Sequence, residues 1–436
     1  MIQSHSVRAA LKLYDWLWRA ATPLLCRNQR LQEGLSQRRG QPFPQGPFDI
    51  WIQAASAGES RLAAQILEQM GVHTPHRILV TTNTRQGKDT LDAAIKSVNP
   101  QATPTPWKSA YFPFDQPSRM KRAVESIQPR IMVLLETEIW PGLMEALKTA
   151  GIPIIIINAR MRAKSLHHYR LWPTIWQALA PDRILAVSPE DADRYGRLYG
   201  AEHVSVMPNM KFDRIRSNAA CGQPNPLEKW IPPDASFVVL GSIRKEEEDA
   251  VDRMIGYLLD RRPDILIGLF PRHMHRISAW QQRLKAAGIP CHMRSQLASA
   301  ADAKSVILWD VFGELTEAYA HAASAFVGGT LAPLGGQNFL EPLTCGLVPT
   351  IGPSWTTFNW VGRDLFDKGL VRVADNWRQA ADALLETMAV SPHREEVLIR
   401  LDSYLAERRG GTAIAVKAIE DLLREYQHAA RRGCYC

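Results

Sequence analysis

Three short segments carry the side chains best suited to chemistry. Glu59 lies in Ala55-Ser-Ala-Gly-Glu59-Ser60, and Glu136 and Glu138 lie in Leu135-Glu136-Thr-Glu138-Ile-Trp-Pro141. Each segment follows an apolar run and opens a helical pattern. Open α/β sheets place their reacting groups at the carboxyl ends of strands, where these acids fall. Glu59 reads as a general base that would deprotonate an attacking hydroxyl, or as a first-turn acid answering the helix dipole. Of Glu136 and Glu138, so close together, one could simply cap the helix.

The third segment is Phe326-Val-Gly-Gly329, running into Gly335-Gly-Gln-Asn338-Phe339-Leu340-Glu341-Pro342. Glycines let backbone amides approach a phosphate, and a helix start offers unpaired donors. Glu341 is placed to accept from ribose hydroxyls. The same residues also fit a plain strand–turn–helix connection. Arg272 ends the strand-like run Phe270-Pro271-Arg272, where a guanidinium suits a phosphate or a base edge or is an ordinary surface arginine. Phe312-Gly313-Glu314 follows another strand. Lys211 in Asn209-Met-Lys211-Phe-Asp213, and Arg160 in Asn158-Ala-Arg160-Met-Arg162, add positive charge on the acidic side or serve as ordinary surface.

Alternating elements must position these groups. Strand-like runs at 49–55, 77–82, 130–135, 153–158 and 182–188 alternate with helical patterns, then a Pro- and Asn-rich stretch intervenes. A second series follows at 236–241, 265–270, 305–309, 323–328 and 348–352. Continuous apolar strands between helices predict parallel sheets covered on both faces. The expected organisation is a membrane-associating helix and basic segment at 1–40, a Rossmann-like domain at 41–213 and a linker at 214–235. A second Rossmann-like domain with closing helices follows at 236–436. At 436 residues the chain exceeds one core.

Within 10–25, Leu11, Tyr14, Leu17, Trp18 and Ala21 recur at helical spacing, but Lys12, Asp15 and Arg19 argue against a spanning helix. With Arg27, Arg30, Arg38 and Arg39 behind it, the helix reads either as lying on an anionic membrane surface or as packed on its own domain. The net charge of +8 favours an anionic partner or is an ordinary balance with no specific meaning. Six cysteines (26, 221, 291, 345, 434, 436) show no metal-ligand or disulfide spacing, which predicts reduced thiols and no bound metal.

Together the segments resemble the 3-deoxy-D-manno-octulosonic acid (Kdo) transferases, lipid A glycosyltransferases of GT-B fold. The matching residues are Ser56-Ala-Gly-Glu59, Glu136-Thr-Glu-Ile-Trp-Pro141, Asn158-Ala-Arg160, Lys211-Phe-Asp213, Pro271-Arg-His273, Gly313-Glu314, Val327-Gly-Gly329 and Gly335 through Pro342. The resemblance implies two facing doubly wound domains with a cleft between them, and inverting transfer of Kdo from CMP-Kdo to a lipid A precursor in lipopolysaccharide biosynthesis. It implies Glu59 as the proton acceptor, Glu136 and Lys211 as transition-state stabilisers, and Pro271, Arg272, Phe312, Gly313, Glu314, Asn338, Phe339, Leu340 and Glu341 as the CMP-binding set. It also implies no cofactor beyond the CMP-sugar donor, no nucleic-acid partner, and a place on the cytoplasmic face of the inner membrane. The family's Ser-Thr-His-Glu-Gly-Glu-Glu stretch here reads Ser242-Ile-Arg-Lys-Glu-Glu-Glu248, with Arg244 and Lys245 near the expected donor sugar. A GT-B enzyme using another activated sugar, a nucleotide-sugar epimerase and a non-catalytic lipid-binding relative stand as alternatives.

Overall fold

The computed structural model describes residues 5–40, 42–71, 74–98, 107–216, 225–389 and 394–431. The chain divides into two units, residues 1–213 with 408–436, and residues 214–407.

The first unit is built on a parallel sheet of β1 (Phe48–Gln53), β2 (Ile78–Thr82), β3 (Trp107–Tyr111), β4 (Pro129–Leu135), β5 (Ile154–Ala159), β6 (Arg183–Ala186) and β7 (Val204–Val206), in the order β3-β2-β1-β4-β5-β6-β7. Ile50, Trp51 and Ile52 of β1, Ile131–Leu135 of β4 and Ile154–Ile157 of β5 have almost no exposure, as a sheet covered on both faces requires. The strand order reverses between β1 and β4, whose residues pair in register from Phe48↔Pro129 to Gln53↔Leu134. Glu59 and Glu136 therefore leave the sheet at its topological switch point, where crossovers diverge and open a crevice.

The second unit repeats the plan with β8 (Ser236–Ile243), β9 (Ile265–Pro271), β10 (Cys291–Met293), β11 (Ser305–Leu308), β12 (Ser324–Val327), β13 (Thr350–Ile351) and β14 (Arg372–Val373). Their order is β10-β11-β9-β8-β12-β13-β14. Its switch point lies between β8 and β12. The α/β, doubly wound expectation holds for both units.

Several expectations change. The closing helix Gly411–Arg431 belongs to the first unit, where Ala415, Val416, Ile419, Leu422 and Leu423 enter the core beside Ile66 and Ile131. Its start is held by Asp213, whose carboxylate accepts from the Gly410 and Thr412 amides (2.7 and 2.6 Å) and from the Thr412 hydroxyl. The segment expected as linker is bound into the second unit from residue 225. Leu227 and Ile231 are buried there and the Trp230 indole donates to Leu297 O. Residues 217–224, with Cys221, and Cys434 and Cys436 lie outside the described residues.

The N-terminal helix His5–Leu25 packs on its unit through the stripe read from the spacing. Leu11 is buried, the Tyr14 hydroxyl donates to Asp115 Oδ2 at 3.0 Å, Asp15 accepts from the Ser118 amide, and Trp18 stacks on Phe114. Leu17, however, belongs to a second, exposed stripe with Leu13, Trp16 and Leu24. Arg38 is also buried, donating to Asn83 O and Glu33 O beneath the Tyr111 ring, so it supports local structure and adds nothing to a basic surface.

Asp213→Ala strips the closing helix of these backbone bonds. It is expected to cost about 1–2 kcal/mol, as removal of a helix cap does, read as a lowered denaturation midpoint of the intact chain.

Candidate functional site

Glu136 follows β4 with φ 57°, and Asn158 near the end of β5 has φ 56° beside a register shift between β5 and β6. Left-handed backbone costs a non-glycine residue roughly 1 kcal/mol or more, and such strain gathers where a side chain must be aimed. Here it is offset by bonds. The Glu136 amide donates to Ile157 O, and the Tyr195 hydroxyl donates to Glu136 O. Asn158 Oδ1 accepts from the Met210 amide at 2.9 Å while its Nδ2 faces Glu136 Oε1 at 3.4 Å. Lys211 Nζ lies 2.6 Å from Glu136 Oε1, and Arg160 Nη1 4.0 Å from the same oxygen. Residues distant in sequence thus converge on one carboxylate.

Glu59 stands across the switch point, at the start of the helix Ala57–Met70. It is 8% exposed. Its Oε2 accepts from the Ser56 amide (3.0 Å) and its own amide donates to Ser56 Oγ (3.3 Å), a capping box. The bland capping role and the reactive placement therefore coexist. Burial first, and then the negative charge of Glu136, holds the Glu59 carboxyl above the usual range. Glu138 is buried too, with the Trp140 indole donating to Oε2 at 2.5 Å. Burial, reinforced by Glu59, pushes its carboxyl up to about 8. Three carboxyls share one field, and the cations Lys211 and Arg160 stand against Glu136.

Sequence patterns did not reveal what holds the Glu138 loop. Asp115, fully buried, accepts from the Gly142 and Leu143 amides at 3.0 and 2.7 Å, where the helix Pro141–Thr149 begins. Gly142 is needed there, because a Cβ would sit 2.5 Å from Asp115 O. Burial pushes the Asp115 carboxyl up to about 7. The one available signal was an isolated Asp between Phe114 and Gln116.

In the second unit the phosphate-cradling reading fails for the loop after β12. The Glu247 carboxylate accepts from the Gly329, Thr330 and Leu331 amides at 2.6, 3.2 and 3.3 Å. Gly335 donates to Ser354, Gly336 to Gly329 O and Gln337 to Gly328 O. A protein carboxylate occupies the place where an anion was expected. Of the nine expected nucleotide contacts, Pro271, Phe339 and Leu340 have buried side chains, Phe339 packing against Phe358 at 4.8 Å, which leaves mainly their backbone to meet a ligand. Glu314 is held bidentately by Arg294 (2.8 and 2.7 Å) and by the Trp309 indole, and Glu341 accepts from Thr316. Phe312, Gly313, Asn338 and Arg272 are exposed, and Arg272 reaches Gln337 Oε1 at 3.1 Å. Slight burial, then the charges of Arg244 and Arg272, lower the His273 imidazole, which places these cations together at the ends of β8 and β9.

The sequence profile of the family described as 3-deoxy-D-manno-octulosonic-acid transferase (kdotransferase) matches residues 27–214. The chain is 31% identical to the 3-deoxy-D-manno-octulosonic acid transferase of Bordetella pertussis, over 94% of this chain and 96% of that protein. It is 30% identical to that of Haemophilus influenzae, over 92% and 93%. In fold it is similar to the UDP-GlcNAc 2-epimerase of Neisseria meningitidis (12% identity, TM-score 0.53, 86% of this chain and 100% of that one). It is likewise similar to a glycosyltransferase of Rickettsia africae (8%, TM-score 0.55, 87% and 99%).

The folded protein holds a proton on Glu138 that the unfolded chain releases above about 4.5. The stability this contributes is complete below that value and is lost as pH rises through about 8. Glu138→Gln keeps an acceptor for Trp140 without the charge. It is expected to raise Tm over wild type by roughly 2–4 °C or more near pH 9 and to change it little near pH 5. A Tm difference independent of pH would contradict the assignment.

Proposed function

Because this chain belongs to the 3-deoxy-D-manno-octulosonic acid (Kdo) transferase family, we propose that it moves Kdo from CMP-Kdo to the glucosamine disaccharide of a lipid A precursor, with inversion, in lipopolysaccharide biosynthesis. The observation that carries the chemistry is the Glu136–Lys211 pair at 2.6 Å opposite a buried Glu59 of raised proton affinity.

Glu59 takes the proton of the acceptor hydroxyl as the hydroxyl oxygen attacks the anomeric carbon of Kdo. The bond from that carbon to the phosphate oxygen breaks, and CMP leaves with the electron pair. Lys211, oriented by Glu136, supplies positive charge where negative charge develops. Burial makes Glu59 a stronger base than a solvated carboxylate while its Ser56 amide bond keeps it aimed. On the second unit, Arg272 and His273 with the exposed Asn338 are the groups available to CMP, and Arg244 and Lys245 bring charge to the same edge.

An acylated acceptor is met at a membrane surface. No described helix is long and apolar enough to cross a membrane. The outward stripe Leu13, Trp16, Leu17 and Leu24, flanked by exposed Arg8, Lys12 and Arg19, suits a helix lying on anionic lipid. The stripe supports a membrane-surface location, and we propose that the surface is the cytoplasmic face of the inner membrane, as the family resemblance implies.

Purified protein incubated with CMP-Kdo and a tetra-acylated lipid A precursor is expected to add the mass of Kdo to the lipid. An intact donor and unmodified lipid would end the proposal. Glu59→Gln is expected to lower kcat roughly 10²–10⁴-fold. The acid limb of wild-type kcat/KM should fall off above the ordinary carboxylate value of 4.5, because the base is protonated as pH drops through its raised value.

A further inference from the structure

Between β5 and β6 lies a stretch that the carboxylate site leaves largely unused. Residues 160–172 contain no acid, and Arg162, Lys164, His167, His168 and Arg170 are exposed. At its tip Leu171 and Trp172 are 66% and 62% exposed. Large apolar side chains held in water beside unneutralised cations match an amphiphile, with an acyl part for the former and an anionic group for the latter.

Beside the tip is a cavity of about 500 Å³, lined by Leu166, His167, Arg170, Leu171, Arg194 and Arg197. Arg194 and Arg197 are paired with Asp191 and Asp193, each at 3.0 Å. No carboxylate pairs with Arg170 among the described residues, so it is the guanidinium ready for a new anion.

The stretch meets the carboxylate cluster at its start. Arg160 approaches Glu136 at 4.0 Å. Tyr169 packs edge-on against Trp176 at 4.9 Å, and burial, then the charge of Glu138, raises its phenol above the usual value. The helix Ala163–Tyr169 between them spans only about 10 Å. The stretch therefore starts at the carboxylate site and carries the apolar tip on the same connection.

We propose that this stretch is the subsite for the acylated, phosphorylated part of the acceptor lipid. Leu166, Leu171 and Trp172 take an acyl chain, and Arg170, supported by Arg162 and Lys164, takes the phosphate. This rests on the acceptor reading given above.

Full-length protein is compared with the double variant Leu171→Ala/Trp172→Ala and with Arg170→Gln. The acceptors, dispersed in detergent, are a tetra-acylated phosphorylated glucosamine disaccharide and its deacylated counterpart. The double variant is expected to lower the acylated-to-deacylated ratio of kcat/KM by roughly 10- to 100-fold, mostly through KM, as loss of large apolar contacts should. Arg170→Gln is expected to lower kcat/KM by about fivefold or more for the phosphorylated lipid, and by less for a dephosphorylated one. Calorimetric binding of the tetra-acylated lipid is measured in parallel.

Unchanged ratios and affinities alongside normal wild-type transfer overturn the subsite and leave the activity standing. Loss of binding to anionic phospholipid vesicles, with KM for the dispersed lipid unchanged, makes the patch a bilayer contact and overturns it too. If wild type transfers nothing, the activity reading fails and calorimetry decides the subsite. A tenfold or larger affinity loss in the double variant then supports it, and equal affinity overturns it.

Discussion

The first unit is organised around one buried electrostatic problem, three glutamates gathered where the strand order reverses. Like charges in a dry site cannot all ionise at little cost. Lys211 and Arg160 are set against Glu136, burial and Glu59 keep Glu138 protonated near neutrality, and Glu59 is left with raised proton affinity. Much of the surrounding backbone serves this arrangement. The left-handed residues Glu136 and Asn158 turn β4 and β5 outward, and Asn158 ties the Met210 amide so that Lys211 meets its partner. An acid held neutral beside one paired with cations is the pattern from which roles in proton transfer separate.

The second unit meets a different constraint. Its glycine loop after β12 turns several amides inward, and buried amides must be paired. Glu247 pairs three of them, and Gly328 leaves room for the carboxylate, since a Cβ there would lie 2.3 Å from Glu247 Oε1. The cations at this sheet edge are Arg272 and Arg244, with the His273 imidazole near them. The stretch holding Arg244 and Lys245 also supplies Glu247, so changes of charge there sit beside a carboxylate that the fold requires.

The N-terminal helix and the Glu138 loop share Asp115. Tyr14 donates to its carboxylate, which in turn caps the helix after Trp140, and Trp140 packs on Phe112 at 5.1 Å while bonding Glu138. The helix therefore uses one stripe to brace the site's supporting shell and shows the opposite stripe, with Trp16 and Leu17, to the surroundings.

Much of this was legible in the residues. Ten strands were readable because central strands of a doubly covered sheet are continuous apolar runs. The four that went unread, β3, β7, β10 and β14, are the edges of the two sheets. An edge strand is paired on one side and partly wet, so Trp107-Lys-Ser-Ala-Tyr111 and Val204-Ser-Val206 carry no such signature. Glu59 and Glu136 were identifiable by their places after strands, since strand ends are local features, and Lys211 only by its place in Asn209-Met-Lys211-Phe-Asp213 where the first series of elements ends. That Lys211 touches Glu136, that Glu247 fills the glycine loop, that Phe339 and Pro271 turn inward and that the last helix returns to the first unit's core are long-range facts. Chain composition set the two sheets and their reactive edges. Which side chains meet, and what protons they keep, was decided by packing, because burial and neighbouring charge exist only once distant segments have come together.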